Sequence, residues 1–410
     1  MTREQLTVCL MNDSFPPTID GVANCVANYA GIIQRKFGNA VVCTPYYPGV
    51  EDHYDYQVIR YPSFDLTRTF GYRAGMPFDK KTIQALRQMP IDVIHIHSPI
   101  MSAVLGRTLR ELIQQPIVLT YHTKYDVDIR KDIKSKTMQD QAIQAIMANI
   151  DSCDAVWTVS EGAGKNLRSL GFQGDYTVME NGVDLPRGGV SPEKLYALNR
   201  EYGLFDRTPV FLFVGRMMWY KGIRTTLDGL RLLRDQGYSF RMLFVGNGAD
   251  EQEIKSYAHQ LGLNDVCLFI PAVQDREKLR ALYTRADLFL FPSDFDTNGL
   301  VVREAAACGT ASLTLKGSCA AEGITDGQNG LTIENTADAL ARAVAGVIRL
   351  PDTTRLLGYR AMDELYISWE ESVSRAYRRY YEVIDQFYAN RRERHGKSDA
   401  FFRTVAKLYF

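Results

Sequence analysis

The sequence lacks net charge: Lys and Arg together number 48, and so do Asp and Glu. That balance excludes a bulk polycation that grips nucleic acid by its total charge. With 46% hydrophobic residues the chain is not a disordered tail protein either. It has no Cys-x-x-Cys pair. Its seven cysteines, Cys9, Cys25, Cys43, Cys153, Cys267, Cys308 and Cys319, are odd in number and widely scattered. Reduced, mostly buried thiols fit them and a structural zinc site does not. Nor does any apolar run approach the ~20 residues a membrane span requires. The N-terminal MTREQLTVCLMND soon meets Asn12 and Asp13, which reads as a strand and not as a signal sequence. These absences point to the cytoplasm, or to a peripheral position on the inner face of a membrane.

What is present is an alternation of short β-branched runs with longer helical patterns. Strands are expected over 6–11, 41–44, 93–96, 117–120, 155–159 and 176–179, separated by helices over 23–36, 81–89, 103–114, 135–150 and 161–170. The pattern then restarts. Strands over 210–214, 241–245, 266–270, 288–291 and 311–315 enclose helices over 223–236, 251–261, 275–285 and 301–307. The fold class is α/β, two tandem Rossmann-like doubly wound parallel-sheet domains, and 410 residues suit two domains. The boundary is expected within 181–208, where Pro186, Gly188, Gly189, Ser191 and Pro192 interrupt both periods. Domains are therefore expected over 1–185 and 205–375. A helix and tail over 376–410 return to the N-terminal domain. Such sheets bind ligands at the carboxyl ends of their strands, so two of them face to face make a cleft.

Each half opens with a strand, a glycine-bearing turn and a helix. In the first, the turn ends in Asp20-Gly21-Val22; in the second, Gly215-Arg216 leads through a short loop to Lys221-Gly222. A helix N-terminus offers free N–H groups and about half a positive charge, which suits phosphate, and Gly21 lets phosphate approach the backbone. A glycine that merely shapes a tight turn explains Gly21 as well. Arg216 and Lys221 add two cations at the same strand end, where a diphosphate needs counter-charge. The strongest local signal is Phe291-Pro292-Ser293-Asp294-Phe295-Asp296-Thr297-Asn298-Gly299-Leu300-Val301-Val302-Arg303-Glu304. A strand ends at Pro292, the loop carries Asp296, and a helix from Leu300 places Glu304 about one turn in. Asp296 and the amides of Asn298, Gly299 and Leu300 converge on one spot with Glu304 beside it, able to hold sugar hydroxyls and a nucleotide. The plainer alternative is a helix-capping Asp or Asn with an ordinary surface Glu.

The chain resembles retaining glycosyltransferases of family 4, which have the two-domain GT-B fold. The matching stretches are Pro-Pro-Thr-Ile-Asp-Gly-Val (16–22), Ile-Asp-Val-Ile-His-Ile-His-Ser-Pro (91–99), Thr-Tyr-His-Thr-Lys-Tyr-Asp (120–126) and Val-Ser-Glu (159–161). They continue with Glu-Asn-Gly-Val-Asp (180–184), Val-Gly-Arg and Lys-Gly within 214–222, Val-Gly-Asn-Gly (245–248), the spaced acids Asp296 and Glu304, and Ser-Trp-Glu-Glu (368–371). They run in family order across nearly the whole chain. The resemblance implies that Gly21 presents its amide to the donor β-phosphate and that Arg216 and Lys221 neutralise the diphosphate leaving group. It implies that Asp296 and the amides of Asn298 to Leu300 bind the donor sugar, and that Glu304 takes the ribose hydroxyls. His122 is implied to reach the donor sugar near its reacting carbon, and the loop of Pro271, Ala272, Val273 and Gln274 to border the base. The family's usual first acid is Glu where this chain has Asp296, one methylene shorter. Its usual Gly-Gly is Asp20-Gly21 here, which directs Asp20 toward the acceptor side.

The expected reaction moves a hexose from a UDP- or GDP-sugar to a hydroxyl acceptor, a lipid or glycolipid among the candidates, with no cofactor beyond the donor. Fixed cations and helix-end amides stabilise the leaving group's charge as the bond breaks. A nucleotide-sugar epimerase or sugar phosphorylase of the same fold is the alternative. Two Asp-x-Asp triplets, Asp126 to Asp128 and Asp294 to Asp296, suggest a metal-held diphosphate instead, but Arg216 and Lys221 already supply the charge. His95 and His97 point to one side of a strand without a third ligand nearby in sequence, so a structural role and no metal is expected. The stretch Arg130 to Lys136 is basic. So is the tail over 390–410, where Phe401, Phe402, Val405, Leu408 and Tyr409 recur at helical spacing beside Arg403 and Lys407. Docking on an anionic membrane and packing back on the first domain both explain that stripe. Nucleic acid is not an expected partner.

Overall fold

Central strands whose residues are nearly all buried, such as Val210–Val214 and Leu288–Phe291, have no polar face to give to water, so helices must cover both sides of the sheet they form. The computed structural model describes residues 5–18, 20–66, 73–390 and 400–409. The chain forms two compact units, Met1–Asn181 together with Trp369–Phe410, and Gly182–Ser368.

The first unit contains β1 (Thr7–Met11), β2 (Asn39–Pro45), β3 (Gln57–Tyr61), β4 (Ser63–Asp65), β5 (Arg73–Gly75), β6 (Val93–Ile96), β7 (Ile117–Tyr121), β8 (Ala155–Thr158) and β9 (Tyr176–Val178). Seven of them form a parallel sheet in the order β3-β2-β1-β6-β7-β8-β9, and β4 pairs antiparallel with β5. Alternate residues of β1 feed two cores. Val8 and Leu10 join Val26 and Tyr29 of the helix Gly21–Ile32 and Val373 and Tyr380 of the helix Trp369–Ala389. Cys9 and Met11 face the other way, onto Leu105 and Leu109 of the helix Met101–Ile113. Each such buried aliphatic side chain contributes about 1.5–3 kcal/mol of transfer free energy.

The second unit repeats the scheme with β10 (Val210–Val214), β11 (Arg241–Val245), β12 (Cys267–Ile270), β13 (Leu288–Phe291), β14 (Ser312–Leu315) and β15 (Leu331–Ile333), in the parallel order β12-β11-β10-β13-β14-β15. In both sheets the strand order reverses beside the first strand of the unit, between β1 and β6 and between β10 and β13. Crevices at such reversals, outside the carboxyl ends of the strands, are where doubly wound sheets take ligands.

Several elements differ from the sequence reading. Residues 181–208, within which the domain boundary is expected, contain the helix Pro192–Tyr202. Pro192 occupies the first helical turn, where its missing N–H costs nothing, and Gly203 ends the helix in the left-handed region at φ 66. The edge strands β3 and β15 and the helices Tyr125–Asp132, Ala337–Arg349 and Pro351–Glu364 also lay outside the expected set. The changes of unit fall at 181/182 and 368/369, where 185 and 375 were expected as domain ends. The second lies earlier because the helix Trp369–Ala389 packs on the first unit from its first residue, with the Trp369 ring 6.3 Å from that of Tyr29.

The helix Ala400–Tyr409 lies on the helix Met101–Ile113, with Phe402 and Ala406 buried and the Arg107 guanidinium 4.3 Å from the Phe402 ring centroid. The expected apolar stripe therefore splits: Phe402 turns inward while Phe401 and Leu408 stay 61% and 73% exposed. The basic part of the expected tail over 391–399, and the side chains of Asp128, Lys131, Asp132 and Tyr409, lie outside the described residues. All seven cysteines are free thiols. Among the described residues no helix is long and apolar enough to cross a membrane.

Candidate active site

The second unit gathers its charged groups at the carboxyl ends of β10 and β13. After β10 the chain passes Gly215 and Arg216 and makes a single 3-10 turn, Trp219–Lys221, that ends on Gly222. Gly222 has φ +77, and a Cβ there would sit 1.9 Å from the carbonyl oxygen of Pro292, just past β13. Only glycine permits that approach, and the approach carries Lys221 to the neighbouring loop. Lys221 Nζ lies 2.8 Å from Asp296 Oδ2 and 3.3 Å from the Phe295 carbonyl oxygen, with both side chains over four-fifths buried. The same ammonium stands 5.4 Å from the Phe291 ring centroid. Arg216 remains exposed, its guanidinium 6.0 Å from the Tyr220 ring centroid.

Asp296 serves two partners at once. Its Oδ1 accepts the amides of Thr297, Asn298 and Gly299 at 2.9, 3.4 and 3.1 Å, and its Oδ2 takes Lys221. Burial alone pushes this carboxyl up, but the ammonium and the amides outweigh it and hold Asp296 below its ordinary range. The amides of Asn298 and Gly299, expected to face a sugar, thus point at the acid beside them. Gly299, at φ +59 and with Ala320 Cα 2.8 Å from where a Cβ would stand, starts the helix Leu300–Ala307. The Asn298 side chain is buried with neither its oxygen nor its nitrogen bonded among the described residues.

One turn into that helix, Glu304 Oε2 accepts the Tyr283 hydroxyl at 3.0 Å and its Oε1 lies 3.6 Å from the Arg276 guanidinium. Arg276 also bonds Asp184 Oδ2 at 2.9 Å. Burial pushes Glu304 up and nearby Asp184 adds to the rise, against the opposing pull of Tyr283 and Arg276. The sequence reading missed Tyr283 and Arg276. Their seven-residue spacing, one helix face over two turns, was the available signal. Val273 follows β12 and is partly buried on the unit's core, in a loop where the Ala272 amide donates to Asn247 Oδ1 at 3.1 Å.

In the first unit, Asp20 turns back onto its own helix. Its Oδ1 accepts the amides of Val22 and Ala23 at 2.8 and 2.7 Å, an N-cap for Gly21–Ile32. Gly21 has nothing within 4 Å of where its Cβ would stand. His122 follows β7, and its Nε2 lies 2.9 Å from His97 Nδ1. Burial lowers its pKa to about 3, so the ring is neutral near pH 7. His95 and His97 do share one side of β6, with ring centroids 4.0 Å apart. Of the two Asp-x-Asp triplets, Asp126 accepts from Asn166 at 3.1 Å, and Asp294 is exposed while Asp296 is held by Lys221.

With this geometry in hand, two family profiles match the chain: Glycosyltransferase Family 4 over residues 19–187 and Glycosyl transferases group 1 over residues 197–363. Alpha-monoglucosyldiacylglycerol synthase of Streptococcus pneumoniae is 23% identical over 98% of this chain and 92% of its own. A GDP-mannose-dependent alpha-(1-6)-phosphatidylinositol dimannoside mannosyltransferase of Mycobacterium tuberculosis is 25% identical over 77% of this chain and 80% of its own. Among solved structures, the Anabaena protein HepE in complex with UDP superposes with a TM-score of 0.73 at 18% identity. It covers 93% of this chain and 100% of that one, and at that identity the likeness concerns the fold, GT-B.

Proposed function

The chain belongs to the group 1 and family 4 glycosyltransferases, and on that footing we propose that it is a retaining hexosyltransferase using a nucleotide-diphosphate sugar and a lipid or glycolipid hydroxyl. The observation that carries the proposal is the Lys221–Asp296 pair at the ends of β10 and β13 with Glu304 one helical turn beyond. Glu304, kept in place by Tyr283 and Arg276, takes the ribose hydroxyls. Lys221 and the exposed Arg216 meet the diphosphate, whose negative charge grows as the sugar–phosphate bond breaks, so these cations stabilise the transition state more than the bound donor. That charge is met without a metal. Asp296 releases part of its hold on Lys221 and the loop amides to the incoming sugar and phosphate. Gly21 as a phosphate-facing amide and a neutral His122 beside the sugar complete the assignment. Transfer proceeds on the face the phosphate leaves, and the departing phosphate takes the acceptor proton.

GDP-mannose and UDP, in the names of a relative and of a neighbouring structure, define the donors to try, and diacylglycerol and phosphatidylinositol glycolipids define the acceptors. The test is a screen of UDP- and GDP-sugars by thermal shift, followed by transfer of labelled sugar to these lipids with and without a chelator. Tight donor binding raises the apparent Tm by mass action. Product that appears only with acceptor and survives the chelator supports the assignment. Product formed without acceptor, or only with free phosphate, replaces transferase with epimerase or phosphorylase.

A further inference from the structure

We propose that Cys25, His97 and His122 form a binding site for one zinc ion within the first unit, apart from the groups assigned to the nucleotide diphosphate. Cys25 lies on the helix Gly21–Ile32, His97 directly follows β6 and His122 directly follows β7. Because β6 and β7 are neighbours in the sheet, their ends set the two imidazoles side by side, and the helix packed on that face supplies the thiol. One ligand atom from each residue lies within 4.8 Å of the other two, and all three side chains are buried.

The bonding of the histidines singles out this set. His95 has both ring nitrogens occupied, Nδ1 by the Tyr380 hydroxyl at 2.6 Å and Nε2 by Thr120 Oγ1 at 2.7 Å, so it has nothing left for a metal. His97, two residues on, is bonded only through Nδ1, to His122. Its Nε2 is buried and meets no partner among the described residues. A buried polar atom with nothing to bond is uncommon in folded proteins. Either nitrogen of His97 can serve: Nε2 because nothing else holds it, Nδ1 because a metal can replace the proton it shares with His122.

Thiolate sulfur with imidazole nitrogen is the ligand set of zinc, and no carboxylate is present to suit magnesium, calcium or manganese. Zn–S near 2.3 Å and Zn–N near 2.0–2.1 Å put the ligand atoms of a tetrahedral site about 3.3–3.6 Å apart. The imidazole pair, now at 2.9 Å, therefore opens by about half an ångström. On binding, Cys25 gives its proton to solvent and its sulfur to the metal, and so gives up the hydrogen bond its thiol donates to Asn181 Oδ1 at 3.5 Å; Tyr29, packed at a steep angle on the His97 ring, keeps that imidazole in place. His122 alone of the three has measurable exposure, 5%, and is the point of entry.

Zinc binding is read without donor or acceptor, so its test is separate from that of the transfer reaction even though His122 serves in both assignments. The test uses the untagged, metal-stripped full chain titrated with Zn2+ against a chromophoric chelator, and with Co2+ as a spectroscopic substitute. One equivalent of Zn2+ binds, and Co2+ shows a thiolate-to-metal charge-transfer band. Cys25→Ala removes the band, and Cys25→Ala and His97→Asn each weaken Zn2+ binding by about a hundredfold or more, beyond what loss of a supporting hydrogen bond does. Circular dichroism and Tm of each variant confirm that it is folded, with the small-for-small Cys25→Ala as the safer of the two. No stoichiometric binding, a missing band, or Zn2+ affinity unchanged in folded Cys25→Ala overturns the site.

Discussion

At the scale of single residues, the largely buried acid Asp296 is the most heavily used group: three amides and an ammonium share its two oxygens. Its native pKa lies below the ~3.9 of an unfolded Asp, so the pairing stabilises the fold fully above about pH 3.9 and that contribution is lost as pH falls through the native value. Asp296→Asn should keep the amide acceptor and lose the ammonium. Urea unfolding of the variant at neutral pH should show lower stability than the parent, with the two curves converging below about pH 4. A gap that persists at low pH would contradict the ion-pair account. Glu304→Ala and Lys221→Ala should each cut transfer by orders of magnitude. For Glu304→Ala the loss should come with a Tm within a few degrees of the parent, since the side chain is held by Tyr283 and Arg276 and not by the core. The acids themselves were legible because their spacing and a preceding strand are written locally. Their partners were not: Lys221 meets Asp296 across 75 positions, and no local pattern states that Arg276 faces Glu304.

At the scale of elements, turns decide where these groups stand. Gly222 sits where β10 has ended and the chain must pass within van der Waals distance of Pro292. Gly222→Ala should destabilise by more than the ~1 kcal/mol of an ordinary glycine-to-alanine exchange at positive φ. It should also lower kcat with Lys221 intact, because the turn that delivers Lys221 shifts. Near-parental kcat and Tm would remove Gly222 from that role. The interior strands were readable from composition, since a β-branched run buried on both faces has no other use. The short edge strands β3 and β15 were not, because half-exposed residues such as Gln57 and Arg60 carry no continuous apolar run. Asp20 held a signal that was read differently: an Asp just before a helix is a common cap, and its carboxylate spends itself on Val22 and Ala23.

At the scale of the molecule, the repeat of two doubly wound sheets was legible because each unit restarts the same strand–turn–helix series. The precise places where the chain changes unit were not, since Trp369 packs through a ring contact that its sequence neighbourhood does not announce. The last helix offers Phe401 and Leu408 to solvent with Arg403 and Lys407 on the same ten residues. Co-sedimentation with vesicles rich in anionic lipid should therefore fall severalfold when residues 400–410 are removed and fall again with salt, as screening requires. Binding that is unchanged by the deletion would place the membrane contact elsewhere.

The helix Trp369–Ala389 carries a further consequence. It walls one face of the first sheet, where the Tyr377 hydroxyl accepts the Leu6 amide at 2.7 Å and Tyr380 bonds His95. During synthesis the first 181 residues thus emerge without one side of their own core and must wait through the whole of the second unit for it. The unit made later, Gly182–Ser368, is continuous and can close first. Released chains truncated after Ser368 should hold a protease-resistant second unit and a first unit still open to cleavage, and the full chain should close both.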